Sequence, residues 1–278
     1  MPRSFFLGRA FGIPLSIHPT FFLLPALVAV LRWADGLTGV LFSEALLLAV
    51  FGCVLLHELG HALMARAFGI ATRDITLYPV GGVARLESTG RRPFEEVCIA
   101  LAGPAVNLAI VLLLSPLVSL VAMAGLPLGP DRALDHGPAA VAASFLASLW
   151  VANGVLMLFN LLPVFPMDGG RVLRAALAAG LGWLRATEVA AGVAVVLGLI
   201  LCVIGVLIGT PSLALVPLFV IFAGQMELSA LRQRELRRSD VPVAVQGPTP
   251  LGGFTGFVWD RDRHVWVRWV DGRPVEAW

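Results

Sequence analysis

The stretch Val54-Leu-Leu-His57-Glu58-Leu-Gly-His61-Ala-Leu-Met64 places two histidines and a glutamate inside an apolar run. Residues four apart lie on one face of an α-helix, so His57 and His61 can reach one ion. Imidazole suits zinc, and Glu58 lies beside the pair as a candidate general base. The alternative is a structural pair, each histidine hydrogen-bonded to a neighbouring helix. Ionisable groups are costly inside an apolar span, which favours the metal site.

The chain around this stretch has the composition of a membrane protein. Of its 278 residues, 58% are hydrophobic and 14% are charged, against about 25% charged in soluble domains. A spanning helix needs roughly 20 mostly apolar residues. We therefore expect an α-helical integral membrane protein embedded in a lipid bilayer, with about six transmembrane helices. The six segments are 17–33, 43–67, 94–123, 139–161, 187–209 and 212–231.

The distribution of arginines predicts the orientation of these helices. One set of loops carries most of them, including the cluster at 232–238, whereas the opposite loops carry only Arg32 and Arg132. Basic loops face the cytoplasm. Six spans then place both termini in the cytoplasm of a multi-pass cell-membrane protein. The net charge of +2 is too small to indicate a nucleic-acid partner.

A short β-hairpin is predicted between the second and third helices. Two β-prone runs within Ile75–Glu87 flank the pair Gly81-Gly82, and Pro79 confines its strand to an edge or a bulge. This segment is either a surface loop or an exposed strand edge that pairs with an extended peptide.

The composition changes after Arg238. Prolines and glycines over 240–253 are typical of a linker, and residues 257–270 contain aromatic and β-branched runs around a charged turn. We expect a six-span domain over residues 1–238, followed over 239–278 by a linker and a small cytosolic β-hairpin.

Asp168 is the best candidate for a third zinc ligand, which a catalytic tetrahedral site requires. Two prolines and two glycines interrupt the helix between Asn160 and Arg171, at the cytoplasmic end of the fourth span. Broken helix at membrane depth is tolerated where it lines a cavity or is buried in protein. The alternative is a surface turn in which Asp168 pairs with Arg171.

With these motifs, the chain resembles the site-2 protease family of intramembrane zinc metalloproteases, in its compact six-span prokaryotic branch. The resemblance covers roughly residues 8–231. The specific matches are HELGH and Asn160-x-x-Pro163 followed by Met167-Asp168-Gly169, supported by Ile17-His18-Pro19, Gly81-Gly82 and Ala102-Gly103-Pro104-x-x-Asn107. Many members of this branch carry paired nucleotide-sensing repeats, and residues 239–278 are too few to form them.

The resemblance implies one Zn²⁺ held by His57, His61 and Asp168, with Glu58 as the catalytic base. Asn160 would place the substrate or steady the oxyanion, or else form an interhelical hydrogen bond. For His18 and Asn107 we expect structural roles, and we expect Gly103 to permit close helix packing.

The predicted function is hydrolysis of single-span membrane proteins within or near their transmembrane segment. Gly81 and Gly82 are the candidate residues for holding the unwound substrate. A membrane metal transporter or a non-cleaving metal-binding scaffold is the alternative. A transporter has no need of Glu58 as a base and would show repeat symmetry, of which the sequence gives no sign.

Overall fold

The computed structural model describes residues 4–86, 92–129, 136–165, 167–209, 254–260 and 265–277, with the single residues 222, 225, 226 and 229. Contacts between residues divide the chain into two units, 1–225 and 226–278. The candidate site lies in the first unit.

Among the described residues of the first unit, four helices are long and apolar enough to cross a membrane. They are α2 (Gly36–Ala67), α3 (Pro93–Met123), α4 (Pro138–Asn160) and α6 (Trp183–Leu207). At about 1.5 Å per residue, even α4 is long enough for a hydrocarbon core of about 30 Å. These helices correspond to the second to fifth predicted spans.

The first predicted span differs from the structure. Residues 17–33 contain the end of a strand, a 3-10 turn (Pro19–Phe22) and the nine-residue helix α1 (Leu23–Leu31). Such a helix is about 14 Å long, less than half of the hydrocarbon thickness. His18 caps the turn, since its Nδ1 accepts from the Thr20 N–H. The sixth predicted span falls almost entirely outside the described residues, which therefore contain four candidate spans, where the sequence predicted six.

A four-stranded sheet accompanies the helices of the first unit. Its strands are β1 (Phe5–Ala10), β2 (Ile13–Ile17), β3 (Thr72–Tyr78) and β4 (Gly81–Leu86), in that spatial order. The β1–β2 and β3–β4 pairs are antiparallel, whereas β2 and β3 are parallel. In the sequence, β3 and β4 follow α2 and precede α3. Strand β4 is an edge strand of the sheet that the described residues form.

The sheet packs on the part of α2 that carries the histidines. Leu59 and Ala62 of α2 form a buried cluster with Ile13 of β2 and Ile75 of β3. The face of α2 with Leu59 and Ala62 is thereby occupied by the sheet, and the face with His57 and His61 turns toward other helices.

A further helix, α5 (Asp168–Leu181), was not predicted. It follows the loop that ends α4 and packs on α3 and α6. Its first turn lies against the loop backbone, where a Cβ at Gly170 would come within 2.6 Å of Phe165 N, and one at Gly169 would collide with the Leu161 and Leu162 carbonyls. The two glycines therefore permit a close approach that brings Asp168 back toward the membrane helices.

The second unit contains a three-stranded antiparallel sheet. Its strands are β5 (Gly256–Asp260), β6 (Val265–Val270) and β7 (Arg273–Ala277), with β6 in the centre. Val267 and Trp269 are its buried residues on β6. The strands β5 and β6 fall on the hairpin predicted over 257–270, and the structure adds β7.

Candidate metal centre and active site

His57 and His61 of α2 face one stripe of α3. His57 Nδ1 donates to Asn107 Oδ1 at 3.0 Å, and His61 Nδ1 donates to the Ile99 carbonyl at 2.6 Å. Gly103 lies midway between Ile99 and Asn107, so the three residues are spaced by four and share a face. The stripe runs antiparallel to α2, which pairs each histidine with its own acceptor.

These hydrogen bonds determine which nitrogen each histidine offers to a metal. Because each Nδ1 carries the proton that it donates, the Nε2 of each neutral ring keeps its lone pair. The two Nε2 atoms of His57 and His61 lie 3.0 Å apart. Both side chains are buried. Two lone pairs that face each other at this distance repel unless a cation lies between them.

Asp168 completes the cluster from the first turn of α5. Its Oδ2 lies 3.2 Å from His57 Nε2 and 3.1 Å from His61 Nε2. The side chain is buried. Burial opposes ionisation of Asp168, whereas protonated imidazoles at this distance lower the pKa of its carboxyl below the usual value. A cation bound between the three groups would favour the carboxylate in the same way.

The spacing of the three donor atoms fits a tetrahedral zinc ion. Ligands about 2.0–2.1 Å from zinc lie about 3.3 Å from one another in a tetrahedron. The three observed separations are 3.0, 3.1 and 3.2 Å. Two imidazoles and one carboxylate form a common ligand set for catalytic zinc, with one coordination position open. His57, His61 and Asp168 therefore form a candidate metal-binding group.

Gly103 permits this convergence. A Cβ on Gly103 would lie 2.6 Å from His57 Nε2 and closer still to His61 Nε2. The α3 backbone thus passes directly beside the atoms that would hold the ion. Gly60 allows the same close approach from α2, since its Cβ would lie 2.8 Å from the Ala102 carbonyl.

Glu58 lies beside the metal-binding group and under strand β4. Its carboxylate interacts electrostatically with both histidines and Asp168, and it accepts a hydrogen bond from the Ala84 backbone N–H. A Cβ on Gly82 would lie 2.5 Å from Glu58 Cγ and 3.4 Å from its Oε1. Gly82 is therefore at the candidate active site. A Cβ on Gly81 would meet no atom within 4 Å.

Asn160 ends α4, and its Nδ2 donates to Leu156 O of the same helix at 2.9 Å. His18 stacks on Tyr78 with 4.9 Å between ring centroids. Neither contact involves a residue of the metal-binding group. Cys53 accepts a hydrogen bond from Asn153 and lies outside the group.

The contacts of α3 with the two histidines were not predicted from the sequence. Asn107 was expected to be structural, and Gly103 to serve packing alone. The spacing Gly103-x-x-x-Asn107, on one helix face, was the available signal. Neither residue type indicates its partner until the register of α2 and α3 is known.

We expect Asn107→Ala to weaken zinc binding by about 10- to 100-fold, because His57 then loses the acceptor that orients its ring. The affinity can be measured by competition with a chelator in detergent. Asn153→Ala is the matched control, since Asn153 is equally buried in α4 and its Nδ2 bonds to Cys53 and the Leu149 carbonyl rather than to a histidine. Equal affinities of the two variants would contradict this role.

Comparisons with known proteins agree with this geometry. The model of Peptidase family M50 matches residues 45–130 and 119–205. A zinc metalloprotease of Methanocaldococcus jannaschii is 32% identical over 253 residues, which are 90% of this chain and 68% of that protein. Stage IV sporulation protein FB of Bacillus subtilis is 28% identical over 173 residues, 58% of this chain and 46% of that protein.

A solved structure shares the fold. The site-2 protease from Methanocaldococcus jannaschii superposes with a TM-score of 0.59 at 32% identity, covering 81% of this chain and 95% of that one. The family and the four apolar helices together make this chain a membrane protein. The chain belongs to the site-2 protease family of zinc metalloproteases, Peptidase family M50.

Proposed function

We propose that this chain cleaves single-span membrane proteins within or beside their transmembrane segment, as one multi-pass protein with both termini in the cytoplasm. The observation that carries the proposal is the convergence of His57, His61 and Asp168 to within 3.2 Å on and beside a helix long enough to cross the bilayer. A metal ion held at this position would activate water for peptide hydrolysis in an apolar environment.

The residues of the site divide the chemistry between them. When bound to His57, His61 and Asp168, zinc supplies a Lewis acid that activates water and polarises the scissile carbonyl. Glu58 takes the proton from the attacking water and delivers it to the departing amine. Asn107 and the Ile99 carbonyl keep the histidine rings in the orientation that leaves Nε2 unprotonated.

Strand β4 is the proposed docking edge for the substrate. A helical substrate hides its amides in its own hydrogen bonds, so it has to unwind before hydrolysis. An extended segment can add to an exposed sheet edge through main-chain hydrogen bonds. The edge of β4 runs past Glu58, and Gly82 brings its backbone close to that side chain. Gly81 and Gly82 would hold the extended substrate along β4. The side-chain amide of Asn160 would face the bound substrate.

A proline at Ala84 tests this edge. The Ala84 N–H points at Glu58, and proline removes such a donor. We expect Ala84→Pro to slow cleavage of a single-span substrate by about 2- to 10-fold, as the loss of one hydrogen bond would. Leu7→Pro is the control, because Leu7 sits at the bulge in the opposite edge strand β1. A raised KM for the substrate would support docking at β4, whereas a lowered kcat alone would reflect the lost Ala84–Glu58 contact. Equal kinetics in the two variants would argue against docking at β4.

The purified chain in liposomes with a single-span test protein distinguishes protease from transporter. We expect one cut within or next to the span, its loss when a chelator removes the metal, and its return with added Zn²⁺. Mass spectrometry of the fragments locates the cut. Uptake of Zn²⁺ into the liposomes with the test protein intact would instead support the transporter.

A further inference from the structure

A buried ion-pair network links the third metal ligand to α3. Glu96 lies in the first turn of α3, and its side chain is 1% exposed. Its Oε1 accepts from Arg174 of α5 and lies 3.9 Å from Arg171 Nε. Arg171 Nη1 in turn lies 3.7 Å from Asp168 Oδ1. Two carboxylates and two guanidinium groups thus form one chain of contacts.

The two oxygens of Asp168 have different partners in this network. Oδ2 faces the two histidine Nε2 atoms, whereas Oδ1 faces Arg171. Because the guanidinium charge of Arg171 lies on the Oδ1 side, the carboxylate would present Oδ2 to the metal. Glu96 holds Arg171 from its far side and so limits the positions that Asp168 can adopt.

Arg174 fixes the helix that carries Asp168. Its guanidinium group lies 4.8 Å from the ring centroid of Phe165, in the loop before α5, and 5.5 Å from that of Trp183 after it. Arg174 is 2% exposed and bonds to Glu96. A buried charge of this kind is strongly destabilising without its partner. Glu96 therefore holds α5 against α3.

The same stripe of α3 also serves the histidines. Glu96, Ile99, Gly103 and Asn107 are spaced by three, four and four, so they lie along one face of the helix. Ile99 and Asn107 orient His61 and His57. We propose that Glu96 is the positioning residue for Asp168, so that a single face of α3 orients all three metal ligands. This inference rests on the proposed role of Asp168 as a ligand.

The test uses the purified full-length chain loaded with Co²⁺, whose visible absorption depends on its ligands. We expect Glu96→Gln to shift the spectrum in the same direction as Asp168→Asn, and to lower Zn²⁺ affinity by about 10- to 100-fold. Glu95→Gln is the matched control. Glu95 is the adjacent carboxylate and pairs with exposed Arg92 rather than with α5.

Arg171→Gln is a second variant that tests the same inference if Glu96→Gln fails to fold. Arg171 is 22% exposed, and Glu96 keeps its bond to Arg174 when Arg171 is replaced, so the buried pair that joins α5 to α3 stays intact. We expect it to give the same spectral shift at an unchanged melting temperature. If Asp168→Asn changes the spectrum while Arg171→Gln and any folded Glu96→Gln do not, this inference is wrong and the ligand set stands. If Asp168→Asn leaves the spectrum unchanged, the proposed ligand set fails, and the role of Glu96 fails with it.

Discussion

Replacing Gly103 with alanine is expected to lower zinc affinity more than 100-fold in a chain that still inserts into the membrane. The added methyl group would lie 2.6 Å from His57 Nε2 and closer to His61 Nε2, in the space where the ion would bind. This loss of affinity exceeds the factor of about 10 to 100 that is typical when one hydrogen bond that orients a metal ligand is removed. The zinc affinity is measured by metal analysis after dialysis against buffered Zn²⁺.

Gly52→Ala provides the control for this prediction. Gly52 is a glycine of α2, and a Cβ there would meet no atom within 4 Å. Alanine is also the better helix former, so neither variant weakens its helix intrinsically. Stoichiometric zinc of unchanged affinity in Gly103→Ala would show that the ion does not bind beside α3.

Glu58→Gln is expected to abolish most of the hydrolysis and to leave metal binding intact. The amide cannot take a proton from water, and general acid–base catalysis contributes about 10²- to 10⁴-fold. Because Glu58 is outside the metal-binding group, zinc content is expected to stay unchanged. The cleavage rate in liposomes and the zinc stoichiometry of the same sample give the two readouts.

The control for Glu58→Gln is another carboxylate on the same helix. Glu44→Gln removes a charge from α2 well away from the histidines, and we expect full activity in that variant. If Glu58→Gln cleaved at the rate of Glu44→Gln, Glu58 would not be the base, and another group would have to accept the proton.

The long apolar helices could be predicted from the sequence because length and hydropathy are sufficient for them. The helices α2, α3, α4 and α6 begin and end within a few residues of four predicted segments, apart from the start of α2. The segment before α2 was misread, since Pro19 and the short α1 interrupt an apolar run that continues from a strand. Strand β1 was missed because its apolar residues do not alternate with polar ones. Strand β2 does alternate, at Ile13, Leu15 and Ile17, but it is short, contains Pro14 and runs into the apolar segment that was predicted as a span.

Helix α5 was missed for a different reason. Gly169 and Gly170 were interpreted as helix breakers, whereas in the structure they lie in the first turn of a helix that packs on the preceding loop. A sequence gives the residue type at such a position but not the neighbouring backbone that makes glycine necessary.

The residues proposed as ligands could be predicted from local patterns, but their supports could not. His57 and His61 follow from a spacing of four, and Asp168 from the broken helix around it. Asn107 and Ile99 accept from the histidines, and Glu96 pairs with the arginines beside Asp168. These contacts depend on which face of α3 meets α2 and α5. That register is set by packing of distant segments, about which a single sequence carries little information.

The most direct test of intramembrane proteolysis by this chain compares membrane proteomes of cells that express it or its Glu58→Gln variant. Intramembrane proteolysis predicts single-span proteins that are cut inside or just beside their spans only when Glu58 is present, and the fragments would identify the substrate. Identical proteomes, from cells in which both forms are inserted and zinc-loaded and a single-span test protein is co-expressed, would contradict it.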